Sequence, residues 1–263
     1  MADGNRSAKG KEELPPLDAG GQSNARPPHG TGGRAPSNAA DDPYAGRRLE
    51  DVRGTMSSVA RSHSGCQFLV RMVAGGGAAA AKLVFEEVAG DIVRLMVHSV
   101  AHEVVAKLVE HWTDEHVTHV LQTLAASPDQ ILAVARNHAG HGCNVVSKCI
   151  DKAAGDEQLL NSLAAAVCTD AVALAEHGYG NFVVQHVMAA APEARGRLHA
   201  AFRGRFVSLS TQAASSHVVQ RCLEVFSPEQ ADEIVGELLA CHHWGFTFQQ
   251  LITDPYANYV LDP

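Results

Sequence analysis

Aliphatic pairs enclosed by polar residues recur along this chain in a six-residue pattern whose clearest copy is Gly180-Asn181-Phe182-Val183-Val184-Gln185. Five other segments align with it: Gly65-Cys66-Gln67-Phe68-Leu69-Val70, Ala101-His102-Glu103-Val104-Val105-Ala106, Gly142-Cys143-Asn144-Val145-Val146-Ser147, Ser215-Ser216-His217-Val218-Val219-Gln220 and Ala257-Asn258-Tyr259-Val260-Leu261-Asp262. Each opens on a small residue. In a helix, residues four apart share a face. Asn181 and Gln185 therefore project together with Phe182 beside them, while Val183 and Val184, continued by Val187 and Met188, form an apolar stripe that packs inward. The second residues stand at 66, 102, 143, 181, 216 and 258, in steps of 36, 41, 38, 35 and 42. A period of that size marks a helical repeat array. The pattern thus predicts an all-α solenoid over residues 47–263 in which stacking carries one polar face from copy to copy.

Composition agrees and adds a boundary. Of the 263 residues 46% are apolar but only 5% aromatic, which suits a thin, layered helical core. Residues 1–46 hold 8 of the 23 glycines and 6 of the 11 prolines, and a segment so poor in large apolar side chains is expected to be disordered. It has no apolar signal core, so the expected location is cytoplasmic, with nucleus or nucleolus as alternatives. No uninterrupted apolar run reaches the roughly 18–20 residues of a membrane span. The six cysteines are scattered and expected to be free thiols.

Chemistry other than binding finds little support. His138, His141, Cys143 and Cys149, and separately Cys241, His242 and His243, lack the paired spacing of a zinc site. Gly75-Gly76-Gly77 lacks the Lys and Ser/Thr of a phosphate loop, and no strained nucleophile turn is present. The expectation is a protein without enzymatic activity, metal or cofactor. The run Arg47, Arg48, Glu50, Asp51, Arg53 reads as a solvated first helix, and Phe68 as a core residue.

The segments His177–Val187, Ser215–Glu224 and Asp254–Leu261 resemble, in order, the sixth, seventh and eighth repeats of the Pumilio (PUF) family of RNA-binding proteins, with the triplets placed on the third helix of each repeat. The resemblance spans residues 49–263 and thins toward the N-terminus, where the first two copies keep the spacing but few of the polar identities. It implies a right-handed, curved solenoid of about six three-helix repeats, each holding one unpaired base at its pairing edge with two side chains and stacking it with a third. Asn181, Phe182 and Gln185 then match the family's uracil reader. Ser216, His217 and Gln220 lean toward adenine where the family's repeat reads guanine. Asn258 and Tyr259 again suit uracil, with Asp262 in place of a glutamine. Cys143, Asn144 and Ser147 keep only the small first member of an adenine reader; His102, Glu103 and Ala106 match no reader of the family, and Cys66, Gln67 and Val70 scarcely any.

Because the family binds RNA antiparallel to the chain, the implied site is 5′-U, then A or G, then U, a UGU-like or UAU-like core. The resemblance implies a monomer that regulates translation or stability of messenger RNA through its 3′-untranslated region, with effector proteins on the convex face and no membrane. Two alternatives are a degenerate solenoid serving as a protein scaffold and a nucleolar factor for ribosomal RNA processing. Residues 47–263 carry 16 Lys and Arg against 23 Asp and Glu, an acidic balance for a nucleic-acid binder. Positive charge is expected to be confined to one row, since Arg71, Lys107, Lys148, His186 and Arg221 each follow a triplet's last member and would lie near phosphate. The last copy reads as cut short at Asp262-Pro263, an unfinished end that exposes an apolar face.

Overall fold

The computed structural model describes residues 42–135, 137 and 141–261, which are all-α, with 3₁₀ turns and no strand among them. Helices α1 (Met56–Ala60) and α2 (His63–Val88) form the first unit. Then follow α3 (Ile92–Met96), α4 (His102–Val109) and α5 (Asp114–Ala125); α6 (Pro128–Ala135), α7 (His141–Lys152) and α8 (Glu157–Cys168); and α9 (Ala171–Ala175), α10 (Gly180–Ala190) and α11 (Arg195–Phe202). The array continues with α12 (Phe206–Ser210), α13 (Ser215–Val225) and α14 (Pro228–Leu239), and with α15 (Phe248–Thr253) and α16 (Ala257–Leu261). The six-residue pattern therefore falls on the second helix of each unit, correcting the expectation that it lies on the third.

Stacking follows chain order. The second helices pack α2 on α4, α4 on α7, α7 on α10, α10 on α13 and α13 on α16. The third helices form a parallel row in which α5 packs on α8 and α8 on α11, and His199 and Arg203 of α11 reach Glu233 of α14 at 3.7 and 2.9 Å. Each short first helix lies against the third helix of its own unit: α3 on α5, α6 on α8, α9 on α11 and α12 on α14. The aliphatic pair of the pattern is the glue. Val104 and Val105, Val183 and Val184, and Val218 and Val219 are fully buried, and each such side chain contributes roughly 1.5–3 kcal/mol.

The small residue that opens each pattern has a steric cause. A Cβ on Gly65 would sit 2.2 Å from the carbonyl oxygen of Val59, and one on Gly180 would sit 2.8 Å from that of Leu174. The second helix thus starts against the backbone of the short helix before it. Ser215 meets the same geometry by donating its hydroxyl to Leu209 O at 2.7 Å.

The first unit closes differently. Gly77 (φ 57°, ψ −143°) breaks α2 into two helical parts, 63–76 and 78–88, which serve as second and third helices without a loop. Only glycine adopts that backbone conformation readily, so Gly77 makes the bend. By length and composition alone His63–Met96 would pass as a membrane span. The bend divides it, and Leu69, Val73, Val84, Phe85 and Val88 are buried in the repeat core.

At the N-terminal end the expected boundary shifts. Residues 42–46, assigned by composition to a disordered tail, form a turn against the first unit: Tyr44 stacks on Phe68 with ring centroids 5.0 Å apart, and Asp42 pairs with Arg71 at 2.8 Å. The rest of that tail lies outside the described residues. The charged run that follows is a 3₁₀ turn, Leu49–Val52, whose two apolar residues are buried and whose charges face solvent.

The close approach at α10 predicts that Gly180→Ala lowers the urea midpoint of unfolding, at a cost of about 1–3 kcal/mol for forcing backbone apart. Gly178→Ala, whose Cβ would meet open space, is expected to stay within about 0.5 kcal/mol of the parent.

Candidate nucleic-acid interface

Each second helix needs acceptors for the N–H groups of its first turn, and the residue four before the triplet supplies one in several units. Ser62 Oγ accepts from Gly65 N, His98 Nδ1 from Val100 N and Ala101 N, His177 Nδ1 from Tyr179 N and Gly180 N, and Asp254 Oδ1 from Tyr256 N and Ala257 N, all at 2.9–3.3 Å. Sequence reasoning passed over this series. The signal was available as a Ser, His or Asp a fixed distance before each triplet.

The first triplet members are turned toward the backbone. Asn181, only 2% exposed, donates both amide hydrogens to His177 O (3.0 Å) and Gly178 O (2.8 Å). His102 donates through Nδ1 to His98 O at 2.9 Å, the equivalent carbonyl two units earlier. The Cys66 thiol points at Val100 O and that of Cys143 at Ala135 O, and burial raises their pKa to about 11 and about 12. Ser216 is buried, with its hydroxyl 3.5 Å from Ala213 O, and Asn258 Oδ1 is buried without a hydrogen-bond partner among the described residues.

The second members form the outward row. Gln67, Glu103, Asn144, His217 and Tyr259 are exposed, Tyr259 by 64%, and Phe182 is half-buried. Among third members, Gln185, Gln220 and Val70 are half-buried, Ala106 is exposed and Ser147 is buried with an unpaired hydroxyl. Asp262 lies outside the described residues. Asn181 and Gln185 do share one side of α10, and they touch: Gln185 Nε2 donates to Asn181 Oδ1 at 3.0 Å. Asn181 thus holds Gln185 in place, leaving Gln185 Oε1 and one Nε2 hydrogen for an incoming group.

The basic row is present but compensated. Arg71 pairs with Asp42, Lys107 with Glu110 at 2.6 Å, and Arg221 with Glu224 at 2.6 Å; His186 Nδ1 lies 3.8 Å from Asp151. Lys148 is exposed and borders a shallow cavity of about 310 Å³ with Val109, Glu110, Asp151 and Lys152. The Glu110 carboxyl is held below its ordinary pKa, chiefly by the hydrogen bond from Lys107. Burial pushes the His186 imidazole below its ordinary 6.5, opposed by Asp151 and reinforced by Arg221. Of the two His/Cys groups, His138 and His141 have side chains outside the described ones, and no cluster of three ligand-type residues occurs among the described residues.

The repeat architecture and the register of its polar row define a class, that of helical-repeat proteins. Within it, residues 91–125, 141–160, 170–195, 205–239 and 248–261 match the profile of the Pumilio-family RNA binding repeat, and the chain belongs to that family. It is 26% identical over 283 residues to the putative pumilio homolog 7, chloroplastic, of Arabidopsis thaliana, covering 80% of this chain and 42% of that protein. With Pumilio homolog 9 of the same plant it shares 34% identity over 162 residues, 59% of this chain and 27% of the relative. The chain thus spans about half or less of these relatives' length. Among solved structures it is similar to the Puf4 RNA binding domain bound to an HO endonuclease RNA 3′ UTR recognition sequence (26% identity, TM-score 0.65, 80% of this chain and 61% of that one). The RNA-binding domain of yeast Puf5p bound to AAT2 RNA shares the fold at 20% identity (TM-score 0.67, 82% and 59%).

His186 yields a pH dependence. Its imidazole protonates more readily in the unfolded chain, so its contribution to stability is complete above about pH 6.5 and is lost as pH falls through its lower folded value. The urea midpoint is expected to drop between pH 7.5 and 5.5, and His186→Gln to make that drop shallower.

Proposed function

We propose that this chain binds single-stranded RNA, one base per repeat, along the row of second and third triplet members, and that it prefers a UGU-like or UAU-like core in the 3′-untranslated regions of messenger RNA. The observation that carries the reading is the α10 triplet. Gln185 is pre-positioned by Asn181, with its remaining amide groups turned to no other partner among the described residues, and Phe182 offers a ring next to Asn181. An amide that both donates and accepts matches the pairing edge of uracil, and stacking on an aromatic face is worth roughly 1–3 kcal/mol per base. Tyr259 and His217 extend the same row over the two units that follow. Gln67, Glu103 and Asn144 hold the equivalent places earlier in the chain, where stacking is weaker and the Glu103 carboxylate repels phosphate. Base preference is therefore concentrated in the last three repeats. The regulatory outcome, repression or decay of the bound message, would come from recruited proteins, since the proposed role needs no catalytic group.

The same row also supports a second reading, a protein scaffold. Arg71, Lys107 and Arg221 are already paired with acids, so phosphate must compete with Asp42, Glu110 and Glu224 for them.

The two readings separate in one titration. Labelled RNAs with a UGU or UAU core, and a scrambled control, are added to the intact chain at one fixed salt concentration. The RNA reading expects at least about a tenfold preference for a core, equivalent to about 1.4 kcal/mol. Asn181→Ala combined with Gln185→Ala should erase preference at the base facing α10 while weak nonspecific binding persists. Equal affinity for core and scrambled RNA, or a double variant that behaves as the parent, rejects base reading.

A further inference from the structure

On three second helices a carboxylate recurs at one place. Glu110, Asp151 and Glu224 each stand seven residues after the outward second triplet member and three after the basic residue, as in Glu103, Lys107, Glu110 or His217, Arg221, Glu224. Steps of four and three keep to one side of a helix, so base and acid follow the reading position in line, one and two turns on. That spacing puts each acid at the end of its helix. Glu110 is the C-cap of α4, and Asp151 and Glu224 are the next-to-last residues of α7 and α13. There the negative end of the helix dipole disfavours a carboxylate. Helix stability therefore does not account for the recurrence.

Packing joins the pairs into a ladder of alternating charge. Lys107 donates to Glu110 at 2.6 Å. The charge of Lys148, on α7, also reaches Glu110, adding to the lowering of its pKa that the Lys107 hydrogen bond chiefly causes, and both side chains border the shallow cavity shared with Asp151. Asp151 lies 3.8 Å from His186 of α10, a helix whose own position for the acid holds Ala189. On α13, Arg221 meets Glu224 at 2.6 Å. In the first unit that position is Ala74, and Asp42 of the N-terminal turn holds Arg71 instead. Each member of the basic row thus faces a carboxylate, whether from its own helix, the preceding unit or the N-terminal turn.

We propose that Glu110, Asp151 and Glu224 are specificity-determining residues of the RNA site: they compete with phosphate for the basic row, keep sequence-independent binding weak and leave affinity to the base-reading row. The proposal rests on the RNA reading and gives the acidic balance of the chain a function within it. A strand without base contacts is held through its phosphates alone, and must displace an acid for each one it seats on the row. A core strand is fixed in register by its bases and depends on that exchange less. The exposed pairs are weakly held, so they oppose binding without forbidding it.

The test is Glu110→Gln with Glu224→Gln in the intact chain. The control is Glu86→Gln with Asp232→Asn, the same change of net charge placed on third helices. All four residues are exposed, and far-UV circular dichroism confirms that both variants fold. Anisotropy follows labelled core RNA and scrambled RNA across a salt series. The ladder variant is expected to bind scrambled RNA about tenfold more tightly than the parent and core RNA less than about threefold more tightly, with a slope of log affinity against log salt steeper by about 1.4, two phosphates at about 0.7 each for a single strand. The control should stay within about twofold of the parent on both RNAs, because distant charge is screened by salt. A gain on scrambled RNA under about threefold, an unchanged slope, or the same gain from the control overturns the proposal. Equal gain on both RNAs overturns it too where the parent prefers the core. Failure of the base reading looks different: the parent then treats core and scrambled RNA alike, and the ladder is judged on gain and slope alone. If neither parent nor ladder variant binds RNA, both readings fall.

Discussion

The contact between the start of each second helix and the backbone of the short helix before it governs the rest of this molecule. At Gly65 and Gly180 that approach leaves no room for a side chain, and at Ser215 the hydroxyl is bound into the same carbonyl. With the helix pinned at that distance, its aliphatic pair can only turn inward, and the residues on either side of the pair can only turn outward. Repetition does the remainder. Because each second helix lies on the next, the outward residues of successive units fall into rows.

Those rows are not equivalent chemically. The first triplet members are spent on backbone carbonyls: Asn181 and His102 donate to the one four residues earlier, Cys66 directs its thiol to Val100 O of the next unit and Cys143 to Ala135 O of the preceding helix. The second members reach solvent. Gln185 stands between, tied to Asn181 by one hydrogen and otherwise available. An amide fixed in this way loses less entropy on binding than a free one, so the site is prepared before a ligand arrives. The basic row beside it lacks that readiness, since an acid satisfies most of its members and the region as a whole is acidic.

Edges set the limits of a repeat array, because the terminal units have a neighbour on one side only. At the start, Tyr44 stacks on Phe68 and Asp42 holds Arg71, so a short turn does the work of a preceding repeat. Among the last described residues Val235, Leu239, Phe248 and Ile252 are exposed.

The six-residue pattern, its period and its two faces were legible in the chain, because helix periodicity is local and a stack of like units repeats one local solution. Membership in the Pumilio family followed from the same residues. Local pattern could not say that the pattern sits on the second helix of each unit, that Tyr44 stacks on Phe68, or that the chain bends at Gly77, since each depends on which segment another one meets. It also treated Asn181 and Gln185 as equal partners. Their spacing alone put both amides on one face; the tertiary packing buried Asn181 and left Gln185 half-exposed, because burial is decided by neighbours distant in sequence.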